Sequence, residues 1–262
     1  MNIKKAIAWL FTGYFIFILL LLILIIVNSS SDILDSHTPL PDMSQYEQVD
    51  EKKAAFFSLL RPLVQKTNAQ ILQDRQKLKS IQNTYKKKTR LSSREHRQLA
   101  QLRSKYEVDA SLPLEEQLSL LDLRIHIVPE SLTLAQAAIE SAWGNSRFAK
   151  EANNLFGQWC FSEGCGLVPR KRPKGAIHEV QKFESLEEAV DGYMNNINTH
   201  QAYRPLRLAR KKLLEKNMDL SGTELANYLG KYSERGEHYI EEVKIMIKRN
   251  DLEPIDSEGG PK

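Results

Sequence analysis

Cysteine is scarce in this sequence: Cys160 and Cys165 are the only two in 262 residues. A structural zinc site takes more protein ligands than two thiols supply, so the pair cannot make one alone. Histidine is thin and scattered. His126, His178, His200 and His238 are each read as structural or surface residues rather than ligands. There is no glycine-rich phosphate loop either, and together these absences leave no metal and no obligatory cofactor to expect. Charge of one sign is also missing: a net +4 does not by itself indicate nucleic-acid binding.

What is present begins with an uncharged run. Residues 6–27 are 22 positions in which Thr12, Gly13 and Tyr14 are the main breaks in apolar character. At about 1.5 Å per residue, a helix of that length crosses the roughly 30 Å hydrocarbon core of a bilayer. The following Asn28-Ser29-Ser30-Ser31 is a poor cleavage site, so the run reads as an uncleaved signal anchor, with a cleaved signal peptide as the other reading. Lys4 and Lys5 in residues 1–5 keep the N-terminus in the cytoplasm and put the remainder outside.

Residues 28–50, with two prolines and no helical period, read as a linker. From residue 51, Phe56, Leu59, Leu60, Leu63 and Val64, then Ile71, Leu72, Leu78 and Ile81, recur at helical spacing past Pro62. A second helix is expected from Ser92 or Ser93 to Tyr106, opened by a capping box of Ser92 and Glu95. Residues 51–108 are therefore expected to form a helical stalk or hairpin. Residues 61–106 hold thirteen Lys and Arg against Asp74 and Glu95, a surface suited to anionic headgroups or stem-peptide carboxylates, or an ordinary solvated face.

The most informative stretch is 128–157. Pro129 suits a helix start and Gly144 a helix end, so residues 131–143 are expected as one short helix, apolar around most of its circumference and hence buried. Its one carboxylate, Glu140, sits near the C-terminus, where the macrodipole disfavours negative charge. Gln136, Glu140 and Trp143 are spaced i, i+4, i+7 and share a face if the helix is continuous. Two readings stand. Either Glu140 is a general acid beside an indole, or it is a helix-end carboxylate paired with a nearby Arg or Lys.

Pro129, Ser131, Leu132, Gln136, Ala137, Glu140, Ser141, Trp143 and Gly144, followed by Asn154-Leu155-Phe156-Gly157, resemble the signature of the endo-β-N-acetylglucosaminidase family of peptidoglycan hydrolases, glycoside hydrolase family 73. The whole chain is most similar to membrane-anchored members in Gram-negative bacteria. That resemblance implies a mainly α, lysozyme-like domain over residues 109–250 with a small β-hairpin lobe, preceded by the transmembrane helix and stalk, and followed by a disordered tail at 251–262. It implies a single-pass inner-membrane protein with its catalytic domain in the periplasm, acting on peptidoglycan glycan strands, with no nucleic-acid partner.

The resemblance also distributes roles. Glu140 is the implied acid, and Gln136, Trp143, Asn154, Phe156, Gly157, Tyr203 and Tyr239 the implied surroundings of the sugar. Many relatives carry a second carboxylate in a Thr-Thr-Glu-Tyr-like strand that is missing here, which leaves Glu179 as first candidate and Glu163 as second. Of the late tyrosines, Tyr232 is favoured near the substrate N-acetyl group, with Tyr239 as runner-up. In an oxidising compartment Cys160 and Cys165 read as a disulfide holding the rim of the lobe, a free thiol pair being the other reading. Three functions follow: an N-acetylglucosaminidase cutting between GlcNAc and MurNAc, a lytic transglycosylase, or an inactive membrane-tethered peptidoglycan-binding scaffold.

Overall fold

A computed structural model describes residues 40–88 and 90–258. The expected cytoplasmic segment, the transmembrane run 6–27 and most of the linker lie outside the described residues. Among those described, no helix is long and apolar enough to cross a membrane.

The chain is organised on a helix of 40 residues, α1 (Val49–Lys88), about 60 Å long. Asp50 and Glu51 in its first turn and Lys86, Lys87 and Lys88 in its last complement the helix dipole. Its apolar stripe, Phe56, Leu60, Leu63, Val64, Ile71, Leu78 and Ile81, is buried, and Pro62 lies within the helix. That burial corrects the expected stalk. The helix packs against four later helices, so α1 is the spine of one compact unit that includes all the later elements.

Helix α2 (Ser93–Lys105) opens with the Ser92–Glu95 capping box, and α3 (Leu114–Arg124) follows. Asp74 of α1 binds Lys77, Lys105 and the Tyr106 hydroxyl, which ties α2 to the spine. Next comes α4 (Glu130–Glu140), the buried alanine-rich helix, three residues shorter at its end than the apolar pattern suggests. Asn68 of α1 holds its entry, donating to Val128 O at 2.9 Å and accepting from Val128 N at 3.1 Å.

After α5 (Arg147–Ala152), strands β1 (Trp159–Cys160), β2 (Gly166–Leu167) and β3 (Glu179–Gln181) form a small antiparallel sheet in the order β1-β3-β2. Trp159 pairs with Val180 and Leu167 pairs with Val180 from the other side. Gly166 has no alternative here, because a Cβ would sit 1.9 Å from Val180 O.

The remaining helices are α6 (Leu186–Thr199), α7 (Arg204–Glu215), α8 (Gly222–Ala226), α9 (Glu237–Arg249) and α10 (Pro254–Glu258). Helices α1, α8 and α9 enclose α4. Gly222 of α8 lies tight against α4, where a Cβ would be 2.0 Å from Ser131 Oγ. The tail is a further correction: Leu252 is buried, and Asp256 accepts from Ser131 N, Ser131 Oγ and Gly222 N. A chain end that caps the helix carrying Glu140 is part of the fold as far as residue 258.

Candidate active site

Glu140 is the last residue of α4, half-buried at the edge of the core. Burial is the largest influence on its carboxyl and raises its pKa above the usual glutamate value. A hydrogen bond from Tyr239 and the charge of Arg235 pull the other way, and Glu242 pushes up again. No salt bridge forms between Glu140 and a cation among the described residues, so the paired helix-end reading does not describe this side chain. Opposite it is open backbone: Gly157 has φ +66°, and a Cβ there would be 3.6 Å from Glu140 Oε2.

Two side chains, Tyr193 and Gln136, orient the contact between Tyr239 and Glu140. The Tyr193 hydroxyl donates to Gln136 Oε1, and Gln136 Nε2 donates to the Tyr239 oxygen at 2.8 Å. With that oxygen already accepting, the Tyr239 proton is directed to Glu140. The rings are stacked as well as bonded. Tyr239 lies on Tyr232 at 5.3 Å and 4°, Phe156 lies on Tyr193 at 4.1 Å and 12°, and Tyr203 is tilted against Tyr232 at 5.9 Å. The carboxyl is thus set in an aromatic wall that removes water from one side of it.

Trp143 is not in that wall. Helix α4 stops at Glu140, and Ala142 and Trp143 take left-handed φ values of 50° and 59°, which swings the indole out of the i, i+7 register. It packs edge-on against Phe57 and Phe56 of α1 at 5.2 and 5.7 Å. The neighbour of the acid is Tyr239 instead. Tyr232, favoured for the substrate, gives its hydroxyl to Phe156 O at 2.8 Å and clasps the Gly157 loop. Asn154 faces inward: its amide donates to Gln158 O and Gln181 O and accepts from Phe156 N and Gln158 N. Phe156 and Tyr203 are both buried.

The Glu179 carboxylate is engaged elsewhere than with Glu140. It is buried in β3, where its two oxygens accept from Gly164 N at 3.2 Å and Gly166 N at 2.8 Å, and these bonds hold its pKa below the usual range. Those amides flank Cys165, which is disulfide-bonded to Cys160, so the carboxylate organises the cystine loop. Glu163 is exposed within that loop. The carboxylate that does act on Glu140 is Glu242, itself paired with Arg235. The pattern that could have revealed it is Tyr239 and Glu242, three apart on one helix face.

A model of the family described as mannosyl-glycoprotein endo-beta-N-acetylglucosaminidase matches residues 121–252. Protein bax of Escherichia coli (strain K12) is 31% identical over 216 residues, covering 80% of this chain and 74% of that protein. The chain belongs to the glucosaminidase family. The match covers the helix bearing Glu140, the sheet and both late tyrosines. Exo-glucosaminidase LytG of Bacillus subtilis (strain 168) is 59% identical over 34 residues, 13% of this chain and 12% of that protein. No solved structure matches.

The glucosaminidase domain has a hollow that begins at the residue after Gly157. Gln158 and Trp159, directly after Gly157, line a cleft of about 220 Å³ with Asn195, Asn196 and His200. Trp159 is 55% exposed and stacks one face on His178 at 4.3 Å. Gln158 Oε1 and Asn195 Oδ1 are buried there without a partner among the described residues. Amides and an exposed indole are the groups that bind sugar hydroxyls and sugar faces. Among the described residues no cluster of His, Cys, Asp and Glu is arranged to hold a metal ion.

Proposed function

We propose that this chain is a peptidoglycan hydrolase, an endo-β-N-acetylglucosaminidase that cuts the β-1,4 bond between GlcNAc and MurNAc with Glu140 as general acid. The observation that carries the reading is the raised carboxyl of Glu140 at an open glycine backbone, held by a tyrosine hydroxyl rather than a cation. Such a group is protonated at higher pH than an ordinary glutamate and can deliver its proton to a glycosidic oxygen.

With Glu179 committed to Gly164 and Gly166, the substrate's own 2-acetamido oxygen is the nucleophile of choice. It attacks the anomeric carbon while the bond to the leaving oxygen breaks and takes the Glu140 proton. Water then opens the resulting oxazolinium ring and returns a proton to Glu140. Gln158, Trp159 and Asn195 would hold the neighbouring sugar, and the aromatic wall would exclude bulk water. Residues 6–27 would anchor the domain at the periplasmic face of the inner membrane.

A one-carboxylate site also suits lytic transglycosylation, and a site with no chemistry suits a glycan-binding scaffold. Muropeptide analysis after digestion of purified peptidoglycan separates the three. New reducing GlcNAc ends on long glycans are expected. Anhydro-MurNAc ends would replace the proposal by a transglycosylase, GlcNAc released from chain ends by an exo-acting enzyme, and unchanged glycan with retained binding by a scaffold.

A further inference from the structure

A cavity of about 240 Å³ opens between the end of α3 and helix α7, lined by Arg75, His126, Arg207, Arg210 and Lys211 together with Asp122 and Glu215. None of these residues surrounds Glu140. Two of the cations have a carboxylate at hand: Arg75 Nη2 is 3.5 Å from Asp122 Oδ1, and Lys211 Nζ is 3.9 Å from Glu215 Oε1. Arg207 and Arg210 have none within ion-pair distance among the described residues.

Both are nonetheless inside the protein, 2% and 1% exposed. Arg210 donates to Leu123 O, Arg124 O, His126 O and Ile127 O and to Asn198 Oδ1, collecting the free carbonyls at the end of α3. Arg207 does the same for α6 through Ile197 O, Thr199 O and His200 O. Carbonyl dipoles offset part of a buried charge but supply no counter-ion. Burial, then the charges of Arg124 and Arg204, draw Arg207 down to about 10, and burial, then the charges of Arg207 and Arg75, draw Arg210 down to about 9. Among the described residues, two buried nitrogens of the lining also lack a partner, Arg207 Nε and His126 Nδ1, the latter on a ring only 4% exposed.

We propose that this cavity is an oxyanion site of the phosphate class, in which the bound group supplies the negative charge that Arg207 and Arg210 lack. Arg207 Nε and Lys211 Nζ are the donors toward it. Guanidinium pairs favour tetrahedral oxyanions with several acceptor oxygens over single charges, and the volume admits a phosphate with a small substituent. The site stands independently of the cleavage reaction, since its lining includes neither Glu140 nor the tyrosines around it.

The test is titration calorimetry of the full-length chain in detergent with three probes at constant ionic strength: inorganic phosphate, glycerol 3-phosphate and dihexanoyl phosphatidylglycerol. Saturable binding of at least one is expected, weakened by about tenfold or more in Arg207→Gln and in Lys211→Glu. Binding of the first two points to a soluble phosphate, and binding of the third alone to a lipid headgroup. If Arg207→Gln does not fold, Lys211→Glu at the exposed mouth decides. No saturable heat with any probe, or equal binding by wild type and the folded variants, overturns the proposal.

Discussion

Helix α4 carries a carboxylate at each end, and the two have opposite surroundings. Glu130 lies in the first turn, where the dipole favours its charge, and it is bonded to Arg61 Nε at 3.1 Å and Gln65 Nε2 at 3.2 Å. Glu140 lies at the last position, where the dipole disfavours its charge, and its hydrogen bond comes from a phenol. Burial raises both. The difference lies in what faces them: Glu130 meets α1, while Glu140 meets the bare backbone of Gly157. One helix thus holds an ion-paired carboxylate and one bonded only to a phenol, distinguished by the partner and not by the degree of burial.

The sharpest way to break that comparison is to neutralise each end. Glu140→Gln should lower turnover by about 10²–10⁴-fold with the fold intact, measured on purified peptidoglycan. Glu130→Gln should leave turnover close to wild type and destabilise the domain by about 1–3 kcal/mol in urea, because Arg61 and Gln65 lose a charged acceptor. The pH dependence follows from the sign of the Glu140 shift. With its folded pKa raised, the native state holds the proton more tightly, so its contribution to stability is full below the ordinary glutamate value and declines as pH rises through the raised one. Glu140→Gln should therefore flatten the fall of Tm over that window. A steeper fall in the variant would contradict the assignment.

Smaller effects sharpen the account. Tyr239→Phe removes the bond that favours the ionised carboxyl, so the alkaline limb of the rate profile should move up while turnover falls by about tenfold. Arg235→Gln should move the limb the same way by less, since Arg235 acts through space and not by a hydrogen bond. Smallest of all on the chemistry is Glu179→Gln, which should loosen the cystine loop, seen as faster amide exchange at Gly164 and Gly166, and leave the pH profile in place.

The parts of this site carried by local pattern were legible from the residues alone. A buried alanine-rich helix ending near an acid and the capping box at Ser92 both rest on near neighbours in the chain. What could not be read depended on distant partners. The stripe of α1 looked like a stalk because nothing in its own residues says that α4 and α6 cover it. The two left-handed residues after Glu140 are alanine and tryptophan, neither of which announces such a turn, so the register of Trp143 was misplaced. Asp256 joined a polar tail by composition and a helix cap by contact with Ser131. Glu179 and Tyr232 have the right chemistry for a site, but their polar atoms are taken up by Gly164, Gly166 and Phe156.

The most direct measurement is a carbon-13 NMR titration of the Glu140 side-chain carboxyl, assigned by its loss in Glu140→Gln. The account predicts a midpoint above the ordinary glutamate range in the wild type and higher again in Tyr239→Phe. A midpoint at or below that range, unchanged when the phenol is removed, would mean that Glu140 is an ordinary surface carboxylate and not the acid of a glycosidase.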